Sequence, residues 1–141
     1  MSIEKIYGIA GTALNAQLTR MNATASNLAN AGTVSSSVDD AFKPKRAVFK
    51  ALVSEEMTHA GAPYQGGVKV DHMSEDKAPP RKIHDPNNPM ADKDGFVYQA
   101  NVSEVTEMVE MLAAARSYQN NVEVINTAKA LMNRTLDITK A

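Results

Sequence analysis

The chain has 141 residues, of which 43% are hydrophobic, and a formal net charge of −1 at pH 7. This length and apolar content suit a single packed domain and exclude a globally disordered chain. The near-zero net charge argues against binding to nucleic acid or anionic membranes by bulk electrostatics. Cysteine is absent, which excludes disulfides, cysteine-based zinc sites and cysteine nucleophiles.

The first ten residues lack the pattern of a secretory signal peptide. Lys5 is the only basic residue among them, and no apolar stretch follows it. No run in the sequence approaches the length needed to span a membrane. If the protein works outside the cytoplasm, we expect it to leave by a route that uses no cleaved signal.

Residues 3–31 have the pattern of a helix with a heptad-like apolar stripe. The stripe consists of Tyr7, Ala10, Leu14, Leu18, Met21, Ala25 and Leu28. Such a helix is about 40 Å long. Gly32 lies where a C′ glycine would end it.

The opposite face of this helix is almost free of charge. Between residues 6 and 38 the only charged side chain is Arg20, and the other polar positions are neutral. A helix face in water normally carries charges. The helix is therefore buried either inside a monomeric bundle or between molecules. Because only one other long helix is predicted, and it cannot surround the first, we favour burial between molecules.

Residues 33–100 predict a small, irregular β region. Residues 34–40 form a Ser-rich loop, and the strand candidates are residues 47–53, 68–70, 81–84 and 96–98. A turn at Gly66-Gly67 precedes the second of these strands. Prolines exclude long helices here; they are Pro44, Pro63, Pro79, Pro80, Pro86 and Pro89.

The three histidines of the chain do not form a predicted metal site. His59, His72 and His84 lack the spacing of metal ligands on a regular element. Sequence motifs of nucleophile elbows and phosphate-binding loops are also absent. The sequence therefore predicts no enzymatic activity, no metal, no cofactor and no small-molecule substrate.

Residues 92–95 (Asp-Lys-Asp-Gly) resemble the start of a calcium-binding loop. In that register Met90 would be the first loop residue and Asn101 the twelfth, and neither supplies a carboxylate. We predict instead a turn in which Gly95 has a positive φ. The basic cluster of Lys43, Lys45, Arg46 and Lys50 is assigned to charged strand edges.

Residues 101–139 predict a second helix, about 55 Å long. Its seam consists of Met108, Met111, Ala115, Tyr118, Val122, Ile125, Met132 and Leu136, widened by Val105, Leu112 and Ala128. Asn101 and Glu104 fit a capping box at its start. Residues 111–128 carry only Arg116 and Glu123 as charges, so the charge-poor character of the first helix recurs.

The predicted fold is mainly α with a small β insertion. Residues 1–32 and 101–141 form one discontinuous domain in which the two helices pack as an antiparallel coiled coil, and residues 33–100 form the irregular β-containing middle segment. We expect Asn27 and Gln119 to hydrogen-bond between helices, where a buried polar group fixes the register.

Three stretches resemble the bacterial flagellar basal-body rod protein family. Residues 26–30 (Ser-Asn-Leu-Ala-Asn) resemble the signature near the end of the first helix of rod and hook proteins, and residues 116–123 resemble that of the last helix. Residues 86–98, and the chain length, are similar to those of the proximal rod members. The chain departs from the family pattern at two places. A Ser-rich stretch follows residue 33, so that the aromatic-basic piece comes later, at residues 42–46, and Asn120 stands where the family more often has Ala.

This resemblance implies a structural subunit of the flagellar proximal rod, which spans the periplasm. It implies export through the flagellar type III apparatus and torque transmission by terminal helices packed against neighbours. The implied partners are other rod subunits, copies of this chain, and export and basal-body base components, with no nucleic acid. The predicted assembly interface contains Leu14, Met21, Asn27, Leu28, Asn30, Met111, Tyr118, Gln119, Asn121, Val122 and Ile125.

Two other functions stay open at this point. A soluble helical binding module, such as an export adaptor or chaperone, would need charged outer faces on both helices, and the first helix lacks them. An enzyme or metal protein would have to use the middle segment.

Overall fold

Two long helices flank a small β region in the computed structural model, which describes residues 3–52 and 66–140. The elements are α1 (Ile3–Ala29), β1 (Val34–Ser35), β2 (Lys45–Ala51), β3 (Val68–Glu75), β4 (Arg81–His84), β5 (Phe96–Gln99) and α2 (Glu104–Lys140). The predicted class, mainly α with a small β insertion, is confirmed. Neither helix, over the part of it that is described, has an apolar run that could cross a bilayer.

The chain divides into two compact units, and both helices contribute to each. Among the described residues, the first unit contains 3–19, 48–52, 66–72 and 113–140, and the second contains 20–47 and 73–112.

The second unit contains an antiparallel sheet in the order β1-β5-β4. The central strand, β5, has no exposed residue, and Val97 on it is only 2% exposed. Beside the sheet lies a core of Ala31, Ala100 and Val102, against which Phe42 packs. These side chains are mostly small, and aromatic residues make up only 5% of the chain.

The turn before β5 is built around Asp92. Its Oδ1 accepts hydrogen bonds from the amides of Phe96 (2.8 Å) and Asp94 (2.9 Å), and its Oδ2 accepts one from the Tyr98 hydroxyl (3.3 Å). The bond from the Phe96 amide is the main reason why the pKa of Asp92 lies below its usual range. Gly95 has φ +78°, so the predicted turn is confirmed. The Asp92 carboxylate considered for calcium is thus engaged in the turn.

A two-stranded sheet pairs β2 with β3. Both strands depart from the predicted bounds, since β2 begins at residue 45 and β3 continues to residue 75. Val53, His59 and Pro63 lie outside the described residues. In the second unit, the two-residue strand β1 occupies the start of the predicted Ser-rich loop, because its backbone pairs with β5.

In the first unit, Gly67 allows the start of β3 to approach α1 closely. The Thr12 hydroxyl accepts a hydrogen bond from the Val68 amide at 3.2 Å. A Cβ on Gly67 would lie 2.8 Å from the Thr12 Oγ1, and the φ of Gly67 is +138°. A side chain at this position would therefore separate the strand from the helix.

The predicted glycine cap of α1 is wrong. The helix ends at Ala29, and the amides of Asn30 and Ala31 bond to carbonyls three residues earlier. Gly32 does not have the positive φ of a C′ glycine. The tightened last turn satisfies these carbonyls, so no left-handed residue is needed.

The predicted capping box of α2 is also wrong. The helix begins at Glu104, and Ser103 caps it. The Ser103 Oγ accepts a hydrogen bond from the Thr106 amide at 3.4 Å, and its carbonyl accepts one from the Glu107 amide at 2.9 Å. Asn101 lies two residues before the N-cap position. Ser103 occupies that position, and Ser caps a helix as well as Asn does.

Gly95→Ala should destabilise the second unit by about 1–2 kcal/mol, because an L-residue is strained at positive φ. The added Cβ would also lie 3.1 Å from the Pro86 Cβ. Urea unfolding followed by tyrosine fluorescence measures the loss. Gly32→Ala is the matched control: its Cβ would meet nothing within 4 Å, so its unfolding midpoint should stay near wild type. Equal midpoints for the two variants would contradict the assigned strain.

Candidate assembly interface

Asn27 joins α1 to both β2 and α2. Its Oδ1 accepts the Lys45 amide at 2.8 Å, and its Nδ2 donates to the Lys45 carbonyl at 2.8 Å and to the Glu107 Oε2 at 3.0 Å. A carboxamide presents a donor and an acceptor side by side, so it pairs with the strand backbone as a neighbouring strand would. Asn27 is 1% exposed and hydrogen-bonds between the two helices, as the sequence predicts.

The carboxylate of Glu107 lies at the centre of this polar cluster. Glu107 is 1% exposed, and its Oε1 accepts a hydrogen bond from the Arg46 Nη2 at 3.0 Å. A buried carboxylate is costly unless it is paired and hydrogen-bonded. Arg46, Asn27 and the N-terminal end of the α2 dipole together supply that stabilisation.

Arg20 on α1, the one charged residue between positions 6 and 38, has its partner inside the chain. Its guanidinium donates to the Glu110 carboxylate, and this bond holds the pKa of Glu110 below its usual range. Both side chains are about one-third exposed, at 30% and 34%, so solvent weakens the pair. Arg20 contacts Glu110 on α2. Asn27, seven residues later on α1, contacts Glu107, three residues earlier on α2.

The predicted interface residues have unequal exposure within one chain. Asn27 is buried and Gln119 is exposed. The half-buried residues are Leu14, Met21, Leu28, Asn30, Met111, Tyr118, Asn121, Val122 and Ile125. Their contacts between molecules stay a prediction.

Within one chain, the predicted seams do not coincide with the buried faces of the helices. Several seam residues are exposed: Leu18, Ala25, Val105, Met108, Leu112, Met132 and Leu136. Among residues 104–138 of α2, the buried ones are Glu107, Ala114 and Ala128, which share one heptad position. The predicted seam included Ala128 but missed Glu107 and Ala114, because neither is a large apolar side chain. The seven-residue spacing of these buried positions was the signal that the sequence offered.

Arg46 and Lys45 lie on β2, an exposed edge strand, as predicted, but they also have contacts that the sequence does not show. The sequence places them on charged strand edges, but Arg46 pairs with the buried Glu107, and the backbone of Lys45 pairs with Asn27. Lys45 in addition lies 3.6 Å from the Glu75 carboxylate. Only the fold brings residues 27, 46 and 107 together, so their separation in sequence hid the cluster.

The described histidines have ordinary structural contacts. The His72 Nδ1 lies 2.9 Å from the Asp71 Oδ2, and His84 packs edge-on against Phe96 with 5.0 Å between ring centroids. Within residues 3–52 and 66–140, no three histidine or acidic side chains gather as metal ligands would. His59 lies outside these ranges.

Two family models match the chain at its helical ends. "Flagella basal body rod protein" matches residues 9–34, and "Flagellar basal body rod FlgEFG protein C-terminal" matches residues 93–138. The first range contains most of α1 with Asn27, and the second contains nearly all of α2 with Glu107.

Curated relatives match over nearly the whole length. A flagellar basal-body rod protein FlgC of Escherichia coli is 43% identical over 138 residues, which cover 98% of each chain. The protein of the same name from Salmonella typhimurium is 42% identical with the same coverage. That of Bacillus subtilis is 32% identical over 94% of this chain and 95% of its own.

Asn27→Asp should destabilise the second unit by about 3 kcal/mol, because it removes both donated bonds and places a carboxylate against Glu107. Adding Glu107→Gln returns a donor to the pair, so the double variant should recover about 1–2 kcal/mol. It should not recover fully, because the Lys45 carbonyl still lacks its donor. Urea unfolding measures both.

Asn22→Asp is the matched control for this substitution, since Asn22 is exposed on the same helix. Its free energy of unfolding should change by no more than about 0.5 kcal/mol. A double variant as unstable as Asn27→Asp alone would contradict the direct coupling of residues 27 and 107.

Acid should weaken the second unit partly through Glu110. The pKa of Glu110 is lowered in the folded state, mainly by the hydrogen bond from Arg20. The stabilisation from this pair is therefore complete above the ordinary glutamate pKa of about 4.3. That stabilisation is lost as the pH falls through the folded pKa. Glu110→Gln and Arg20→Gln should each reduce the fall in the urea midpoint between neutral pH and acid. If the urea midpoint of Arg20→Gln fell in acid as much as that of the wild type, Arg20 would be excluded as the cause of this acid sensitivity.

Proposed function

Since the chain belongs to the family of flagellar basal-body rod proteins FlgC, we propose that it enters the rod through the outer faces of its two helices. Its relatives are named as rod proteins of the basal body, and the chain is accordingly a structural subunit and not an enzyme. The proposal concerns how such a subunit is held in place.

The outer face of α1 carries the proposal. Its exposed positions along residues 15–29 are Asn15, Leu18, Asn22, Ala25, Ser26 and Ala29, and none of them is charged. A helix face that stays in water normally carries Lys, Glu or Arg. The lone charge of this stretch, Arg20, is paired with Glu110 on α2. A neutral face on which all side chains but Leu18 are small or short suits close approach by another helix.

The exposed apolar residues of α2 support the same proposal. Large side chains such as Val105 (73% exposed), Leu112 (62%) and Leu131 (56%) lie on the surface of the free chain. Scattered apolar residues are normal, but several on one long helix indicate a contact surface. Neighbouring subunits would remove them from water.

In this proposal the helical parts, residues 1–32 and 101–141, form one antiparallel coiled-coil domain. The middle segment, residues 33–100, is available for contacts with other components. The partners are copies of the chain, other rod subunits, and the export and base components of the basal body. Torque is carried by many side-by-side helix contacts. Export through the flagellar apparatus without a cleaved signal stays a prediction.

The test replaces the corresponding gene of a flagellated bacterium with the coding sequence of this chain. We expect the protein in purified basal bodies, detected by mass spectrometry, and restored swimming. His72→Gln with His84→Gln is the control for an enzymatic or metal function, and it should swim normally because both side chains are exposed. Absence of the wild-type chain from basal bodies would contradict the proposal.

A further inference from the structure

Strand β4 forms an open edge of the three-stranded sheet. The order β1-β5-β4 leaves it one neighbour, and all four of its residues are exposed. Directly after the strand, the Asp85 amide bonds to the Gly95 carbonyl at 2.9 Å, in register with the ladder between β4 and β5. Because hydrogen-bonded pairs alternate along an antiparallel ladder, the backbone N–H and C=O groups of Lys82 and His84 point away from β5. Among the described residues, no strand lies beside these groups.

The same edge carries positive charge that no carboxylate neutralises. Within the described part of the chain, Arg81 and Lys82 form no ion pair. The Lys82 ammonium lies 3.9 Å from the centre of the Phe96 ring, which holds it over one face of the sheet. The nearby Asp92 carboxylate is engaged by the amides and the hydroxyl of its own turn. Since successive strand residues point to opposite faces, the edge presents one cation on each face.

These charges exclude a second copy of β4 as the neighbouring strand. Pairing two copies edge to edge would bring two arginine–lysine pairs together, and like charges across strands are destabilising. Pro80 and Pro86 also limit the strand to a short length. Basic side chains and flanking prolines are common protections of an edge against self-association. The charges that reject a second copy attract a strand of opposite charge.

We propose that β4 binds an extended acidic segment of a partner protein, which joins the sheet as a fourth strand. The backbone groups of Lys82 and His84 hold the segment, and its carboxylates pair with Arg81 and Lys82. Opposite Ile83, which is 39% exposed, the segment carries an apolar residue. In an antiparallel pairing, the residues opposite 83, 82 and 81 are thus apolar, acidic and acidic in chain order. This contact goes beyond the helix contacts proposed above and does not depend on them.

Binding of a short peptide to the full chain tests the proposal. The probe is acetyl-Thr-Glu-Val-Glu-Glu-Thr-amide, and the matched control peptide has lysine at the three glutamate positions. Chemical shifts and hydrogen exchange of the backbone amides, measured by NMR, locate the bound peptide. We expect the acidic peptide to shift and protect the amides of Lys82 and His84. The lysine peptide should bind about tenfold more weakly, because its charge pairs are repulsive.

Variants at two positions separate the backbone contribution from that of the charges. Lys82→Pro removes the outward N–H without removing a bond to β5, and proline is tolerated at such an edge position. Lys82→Gln is its matched control, since it loses the same charge but keeps the N–H. We expect Lys82→Pro to abolish binding of the acidic peptide and Lys82→Gln to weaken it about threefold. Arg81→Glu combined with Lys82→Glu should reverse the preference, so that the lysine peptide binds more tightly.

Three results would overturn the proposal. They are no binding of the acidic peptide to the wild-type chain, equal binding of the acidic and lysine peptides, and equal binding of the acidic peptide to Lys82→Pro and Lys82→Gln. If Lys82→Pro fails to fold, the charge-reversed double variant still decides, because an unchanged preference for the acidic peptide contradicts the pairing. None of these measurements uses entry into basal bodies, so their failure is distinct from failure of the proposed function.

Discussion

The buried carboxylate of Glu107 is the interaction on which the second unit depends. A charge this far from water is stable only if its partners are already in place. Those partners come from α1 through Asn27 and from β2 through Arg46. Three elements that are distant in sequence must therefore meet for the carboxylate to be satisfied. Removing one partner costs more than the bond itself, because the charge stays behind.

This cluster also explains which faces of the helices stay free. Asn27 and Glu107 fix one side of α1 against one side of α2, and Arg20 and Glu110 lie on the same side. The remaining faces are turned outward. On α1 that face is small and neutral, and at the start of α2 it is apolar. The polar side chains of this cluster are thus satisfied inside the second unit, and its least polar helix surfaces lie outside, which is a suitable arrangement for a part of a larger assembly.

The sequence predicts the elements well and their contacts less well. β4 and β5 and the turn at Gly95 follow from local alternation and turn chemistry, because their residues act on close neighbours. The cap at Ser103 and the end of α1 at Ala29 differ from prediction by two or three residues, since several nearby residues can satisfy a helix end. The seam of α2 was misplaced for a deeper reason. Reasoning from hydrophobicity selects Met108, whereas the fold buries Glu107 and leaves Met108 49% exposed. A buried charge is visible only when its partners from other elements are known.

Imaging an intact basal body that contains this chain, at a resolution that separates side chains, tests the central claim most directly. The account predicts Glu107 between Asn27 and Arg46 in every copy. It also predicts that neighbouring helices cover the outer faces of α1 and the start of α2. Copies whose α1 residues 15–29 and α2 residues 105–112 face open solvent would contradict it.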